Sequence, residues 1–547
     1  MMRNAPSPIP NDHGCLFCYP YAVGHEGEGV CFLLQLGDHR LLLDCGVADV
    51  KELTTSEGNL PPIDFILCSH AHSDHARGLL SLHRAFPDLP VYASEVTVQL
   101  LPLNWLEEKD VPPLAHALPT RSRIALADDL TVELYPAGHL PGACAIALTY
   151  TTPQRRHRIL YTGDFFLSNS RLAEGLSIEE LRGFSPDILI IEGSYGTARH
   201  PHRRQQENQL MARLSETLAA GNNLVLPVPY FGLAQEILVL LRSHHQFTGR
   251  DLDIWVDPMI TQACSAYLEI LPHLPDSIQN FAKHQPLFWD ERVRPRVRPL
   301  TARSDITDSP TILLVEENSD WTQLIPETDQ QWVVFQPEDP APPEINRQDL
   351  PWHSETYLLA QHSDGLGTTQ LIHNLRPQHV IFVHGPKNYL VDLTGLEELQ
   401  HRYHLHLPQA KTEVELHIGD EFIQPAAPPE TSYEGEVTEE EKVVNIQLPS
   451  SIVNDPRWHN FADTGLLKAR WQGEELVLRG LSQKEILRQT SDEKLPREIA
   501  SCGNCRYRQG QHCRNPASPL YGFQVTPEGY CPLFEPLPNN SDNEQTE

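Results

Sequence analysis

The stretch Cys68-Ser-His-Ala-His-Ser-Asp-His-Ala-Arg-Gly-Leu79 limits what this chain can fold into more than any other. His70, His72, Asp74 and His75 fall together directly after the apolar run Ile63-Asp-Phe-Ile-Leu-Cys68. The run reads as a buried strand that delivers four ligands to a loop at its carboxyl end. Imidazole and carboxylate donors suit zinc. Side chains alternate along extended chain, so His70 and His72 can point at one metal. Asp74 and His75, past the bend, can reach a second.

At 547 residues the chain exceeds what one hydrophobic core supports, and about two to four domains are expected. No apolar stretch is long enough to span a membrane, and the opening Met1-Met-Arg-Asn-Ala-Pro-Ser-Pro8 lacks the apolar region of a signal peptide. A cytoplasmic location without membrane contact follows as an expectation. The net charge of −31 works against nucleic-acid binding, which runs on Lys and Arg, although local distribution outweighs the sum. Six glutamates crowd 430–441, whereas three arginines sit at 199–204 and five at 292–303.

The opening third is strand-rich. Gly29–Gly37 and Arg40–Gly46 read as a hairpin about Asp38-His39. Cys15-Leu-Phe-Cys18 before it reads as buried ordinary thiols rather than a metal site. Asp44, at a strand end before Cys45-Gly46, either orients a ligand histidine from behind or simply closes a turn. Further runs end in a polar residue beside or near glycine at His139, Asp164 and Glu192, which is how a sheet presents ligands along one edge.

These residues carry a resemblance. His70–His75, Gly138-His139 and Thr162-Gly-Asp164 resemble, in order, the motifs of the metallo-β-lactamase superfamily. The resemblance implies an α/β chain, an αββα sandwich with a dinuclear zinc site at one edge. It implies that His70, His72 and His139 bind the first Zn2+, that Asp74 and His75 bind the second, and that Asp164 bridges. Glu192-Gly-Ser-Tyr-Gly196 through Glu207 is similar to the segment that opens the β-CASP insertion of nucleic-acid-processing members. Leu210, Met211, Leu214 and Leu218 then mark a helix closed by Gly221, Asn223–Val228 a strand and Gly232–Leu241 a second helix. That alternation reads as an α/β cap. Gly232-Leu-Ala-Gln-Glu236 resembles the family's G-R-x-Q-E with leucine for arginine. Glu316-Glu-Asn-Ser-Asp320 stands where a glycine-rich segment is usual, a departure that bears on substrate handling. Leu359-Ala-Gln-His-Ser-Asp364 and Val383-His-Gly385 look like the second and third insertion motifs. They imply that His362 protonates a leaving group, that His384 completes the second zinc, and that the substrate is RNA, which a histidine at the third motif accompanies.

The expected organisation is a core in two parts, 1–195 and 351–425, around a β-CASP-like insertion at 196–350. An acidic linker at 426–442, a small β and four-cysteine module at 443–535 and a disordered tail at 536–547 follow. Cys502, Cys505, Cys513 and Cys531 have knuckle-like spacing for one structural Zn2+, with an iron–sulfur cluster as the alternative. The module is also where a homodimer or a protein partner would dock.

The function expected is a zinc-dependent phosphodiesterase acting on single-stranded RNA, with metal-held hydroxide attacking phosphorus. Asp74 and His362 are its catalytic residues, and Asp44 and Glu192 support the ligands. Ser194, Tyr195, Arg199 and Arg203 meet substrate, and the arginines of 292–303 hold phosphates. A small-molecule ester, thioester or lactone hydrolase and a non-catalytic RNA-processing subunit are the rival readings.

Overall fold

Runs that are apolar on both faces make the central strands. In a computed structural model, β1 (Leu16–Val23), β2 (Val30–Leu36), β3 (His39–Leu43), β4 (Phe65–Leu67), β5 (Val91–Ser94) and β6 (His116–Leu118) lie side by side in chain order. The structure describes residues 16–25, 27–53, 63–306, 310–326, 331–338, 351–416 and 418, strands 437–440, 443–446, 467–472 and 475–480, and residues 505–509, 512–516 and 535. β1 to β3 are antiparallel, and β3 to β6 are parallel. Helices α1 (Ser73–Ala76) and α2 (Leu79–Ala85) lie between β4 and β5, and α3 (Glu95–Leu100) follows β5.

A second sheet starts with β7 (Ile124–Ala125), β8 (Leu130–Pro136), β9 (Cys144–Thr151), β10 (Arg156–Tyr161) and, past α4 (Ile178–Leu181), β11 (Ile188–Glu192). The two sheets face each other. Val30, Phe32, Leu34 and Leu36 of β2 meet Ile146, Leu148, Ile159 and Ile190 between them. Cys31 and Leu33, one residue out of phase, join the core on the sheet's other face. That is the period of two expected of a strand buried on both sides. Each large apolar side chain fully withdrawn from water there contributes about 1.5–3 kcal/mol.

Between β11 and the last strands of the core stands the cap. Its sheet comprises β12 (Asn223–Val228), β13 (Asp253–Val256), β14 (Arg296–Pro299), β15 (Thr311–Glu316), β16 (Trp332–Pro337) and β17 (His353–Tyr357). These strands are parallel, in the order β14-β13-β15-β12-β16-β17. Helix α5 (Arg203–Ala219) leads into β12, α6 (Leu233–Ser243) joins β12 to β13, and α7 (Pro258–Glu269) and α8 (Asp276–His284) lie between β13 and β14. Leu210, Met211, Leu214 and Leu218 of α5 are all buried, and Gly221, at φ +87°, turns the chain out of the helix. β17 pairs with β16, so the inserted sheet runs past the boundary expected at 350.

The chain then returns to the second sheet. After α9 (Gly365–Leu375), β18 (His379–Val383) pairs in parallel with β11, and β19 (His404–His406) pairs with β18. Val414–Glu415 closes the first sheet against β1. β4 of the first sheet and the parallel β11 and β18 of the second end close together, so Ser69–His70, Glu192 and His384 share one edge.

The chain divides into two compact units, Met1–Ala427 and Pro428–Glu547. In the second, Val437–Glu440 pairs with Val443–Ile446, so part of the segment read as linker is hydrogen-bonded hairpin. Leu467–Gln472 pairs with Glu475–Gly480, and Arg508–Gln509 with His512–Cys513. Cys505 and Cys513 are buried. Cys15, Cys502, Cys531 and the tail at 536–547 lie outside the described residues.

Candidate metal centre

The loop after β4 is held from behind by Asp44. Its carboxylate accepts from Ser69 N at 2.6 Å, Ser69 Oγ at 2.7 Å, Tyr161 Oη at 2.6 Å and His75 Nδ1 at 2.7 Å. Nδ1 of His75 thus carries the proton, and Nε2 points into the site. Asp44 has a left-handed backbone, φ 57°, and His384 shares this at φ 48°. Both residues tolerate that region better than most, and such strain clusters at functional sites. Gly46 fits here because a Cβ would stand 1.6 Å from Asp74 O.

Asp164, after β10, sits between two donor sets. Its Oδ2 lies 3.5 Å from His70 Nε2 and 3.6 Å from His139 Nε2. Its Oδ1 lies 3.3 Å from His75 Nε2 and 3.4 Å from His384 Nδ1. His72 Nδ1 approaches His139 Nε2 at 2.8 Å, and His384 Nε2 approaches Asp74 Oδ2 at 3.1 Å. His70, His72, His139 and Asp164 form one group whose ligand atoms all fall within 4.8 Å of one another, and Asp74, His75, Asp164 and His384 form another. The fit to metal is tested by what these atoms lack. His70 Nε2, His75 Nε2 and Asp164 Oδ1 are buried without a hydrogen-bond partner. Buried polar groups are ordinarily satisfied, so three orphans aimed at shared points suit cations.

Electrostatics separates the two sets. Burial, with the His75 imidazole beside it, holds His70 well below the usual histidine range. Burial and the neighbouring His362 push His139 down to about 3. On the other side burial opposes charge, yet Asp164, Asp74 and Asp44 carry His75 up to about 10. His384 is raised well above the ordinary value against the same burial, by Asp164 and Asp74. Carboxylates there call for positive charge, which bound cations would supply.

His362 stands outside both sets. Its Nδ1 lies 3.0 Å from Glu192 Oε2, and the Glu192 carboxylate raises its pKa against burial. Glu192 also accepts from Phe165 N at 2.7 Å. Asp164, Glu192, His362 and His384 make a third group of possible ligands. Ser194 is buried and bonded to Glu192 and to His384 Nδ1, so it holds the site's own side chains rather than facing substrate. Tyr195 flanks His362, ring centroids 6.0 Å apart, and Arg199 is exposed on the same loop.

Arg203 corrects the expectation that it meets substrate. It is buried, and its guanidinium donates to Ala360 O at 2.5 Å and reaches Glu236 at 3.4 Å. The second basic stretch is likewise engaged. Arg296 bonds Asp253 and Asp251, Arg294 pairs with Asp251, and Arg292 pairs with Asp290. Arg298 lies over the Trp255 ring. Phe231, after β12, packs its ring 4.9 Å from that of His72, a wall the sequence did not disclose.

Facing sheets with paired donor sets at one edge define a metal-dependent hydrolase fold. Residues 39–224 match the family described as Beta-lactamase superfamily domain. An uncharacterized protein of Synechocystis is 48% identical over 94% of this chain and 96% of its own length. A Methanocaldococcus jannaschii protein named "Probable RNase" is 30% identical over 46% of this chain and 61% of its own length. A ribonuclease of Thermus thermophilus is 29% identical over 48% of this chain and 62% of its own. This chain thus spans about three fifths of each of those two relatives. The chain belongs to the metallo-β-lactamase superfamily, in its β-CASP branch, and is a hydrolase. Among the described residues, no helix is long and apolar enough to cross a membrane.

Proposed function

We propose that the chain is a zinc-dependent ribonuclease that cleaves phosphodiester bonds of single-stranded RNA. The observation that carries this reading is His362, held by Glu192 beside Asp164 yet outside both sets that converge on it. His70, His72 and His139 would hold one ion and Asp74, His75 and His384 the other, with Asp164 shared. Ions bound there would acidify water and polarise a phosphoryl oxygen.

The protein's own part is orientation and proton supply. With Nδ1 turned to Glu192, the His362 proton available for transfer sits on Nε2. The Glu192 carboxylate keeps the ring charged until an oxygen leaves. Tyr195 beside His362 offers a face on which a base can stack, and Arg199 a cation for a phosphate. Both relatives named as ribonucleases support RNA as substrate.

A second reading has one specific support. Asp257 and Glu316, at the carboxyl ends of β13 and β15, are buried with raised pKa values, and burial is the main cause for each. Acids rather than phosphate-binding cations at that cap edge favour a small-molecule ester, thioester or lactone substrate. The experiment is cleavage of 5′- and 3′-labelled single-stranded RNA by metal-loaded protein, with His362→Ala as the control. The expected loss in the variant is about 10²–10⁴-fold in rate with metal retained. Hydrolysis of a generic ester with RNA left intact decides for the second reading.

A further inference from the structure

The segment Ala360-Gln-His362 has no secondary structure of its own, yet it must hold a proton donor in place. Besides the His362–Glu192 bond, three contacts to its backbone fix it. Ala360 O accepts from the Arg203 guanidinium at 2.5 Å, and Ala360 N donates to Gln206 Oε1 at 2.8 Å. Gln361 O faces His139 Nδ1 at 3.0 Å. Arg203 and Gln206 both lie in the first turn of α5, so one cap helix holds both polar groups of one peptide residue. Gln206 is itself anchored through Nε2 to Pro201 O.

The same buried cluster reaches the segment beyond Asp164. Glu236 of α6 accepts from Leu172 N at 2.8 Å and from Arg171 N at 3.2 Å, and meets Arg203 at 3.4 Å. Glu207 of α5 meets Arg171 at 2.8 Å and Arg203 at 3.5 Å. Arg203, Gln206, Glu207 and Glu236 are all buried. Buried charges persist only when paired, and breaking such a network is costly. Its members touch none of the candidate metal-binding side chains.

We propose that Gln206 and Glu236 are positioning residues, which set the reach of His362 by gripping the Ala360 peptide and tying it to the segment after Asp164. The inference rests on the proposed role of His362 as proton donor. A misplacement of about 1 Å at a reacting group can cost about a hundredfold in rate. Loosening the grip should therefore harm the step that needs the proton and spare one that does not.

Arg203→Met would strand two buried carboxylates, so the informative variants are Gln206→Met and Glu236→Gln in the full-length, metal-loaded protein. On labelled single-stranded RNA, kcat is expected to fall about 10- to 100-fold with KM unchanged. Metal content should hold, while the thermal midpoint should fall modestly, because each variant weakens a buried hydrogen bond or ion pair. Turnover of bis(p-nitrophenyl) phosphate, whose leaving group needs no proton, should stay near the wild-type rate. In a His362→Ala background, Gln206→Met should add no further loss on RNA. Equal losses on both substrates, additivity with His362→Ala, or release of metal would each overturn the proposal, the last by showing that the grip serves His139. If His362→Ala is slow while both variants cleave RNA normally, only this inference fails. If His362→Ala itself cleaves RNA normally, the proton-donor reading fails as well.

Discussion

His70, His72 and His139 line one side of Asp164, and Asp74, His75 and His384 line the other. The first side consists of imidazoles that burial keeps neutral, with lone pairs ready for a cation. The second crowds Asp44, Asp74 and Asp164 around two histidines and draws charge onto both. One residue type thus behaves in opposite ways within a single centre. The difference lies in the carboxylates that each strand end brings. On the proposed function, the neutral half would hold its ion by preformed geometry and the acidic half by the charge it lacks.

The largest expected effect removes what the halves share. Asp164→Asn keeps the volume and deletes the oxygen charge that faces His70 and His139 on one side and His75 and His384 on the other. Both metals should be lost, and hydrolytic activity with them, as read by elemental analysis of gel-filtered protein. One metal retained per chain would break the comparison, because the halves would then be independent.

Next comes a variant that directly touches a ligand of one half only. Asp44 orients His75 directly through Nδ1 at 2.7 Å and reaches the first set only through Ser69, whose Oγ faces His70 Nδ1 at 3.0 Å. Removing such a partner typically costs about 10–100-fold in metal affinity. Asp44→Asn should show this loss for one metal equivalent in stepwise competition with a chelator, the other being held as in wild type. Equal weakening of both would mean that Asp44 supports the loop as a whole.

What was legible in the sequence follows from distance along the chain. His70 to His75 are neighbours, so one strand end displays four donors, and His139, Asp164, Glu192 and His384 each end or closely follow a strand. The left-handed backbones of Asp44 and His384 left no trace, because neither is glycine. The burial of Arg203 and the partners of the arginines of 292–298 were hidden for a common reason. A run of like residues shows charge but not its partners: Asp290 stands two residues from Arg292, whereas Asp251, Asp253 and Glu236 reach their arginines only through the cap's fold. The grip on Ala360 joins residues 154 apart and has no local pattern at all.

The smallest effect extends the comparison to a histidine, His406, whose pKa no carboxylate among the described residues raises. His406 lies on β19 with its Nε2 2.9 Å from His379 Nδ1, and His404 lies beside them. Burial, then the charges of His379 and His404, push His406 down to about 4. Its unfolded value is about 6.5, so on acidification the unfolded chain takes the proton first. This contribution to stability is therefore full above about pH 6.5 and is lost as pH falls toward about 4. His406→Asn removes the titrating group, and the difference in unfolding free energy between variant and wild type cancels the metal centre's own response to pH. The variant should gain on wild type as pH drops through that window, measured by denaturant unfolding at each pH. Curves that stay parallel would mean that His406 charges as readily in the fold as outside it. Burial without a carboxylate would then not suffice to keep a histidine neutral here, and the contrast between the two halves of the centre would need another cause.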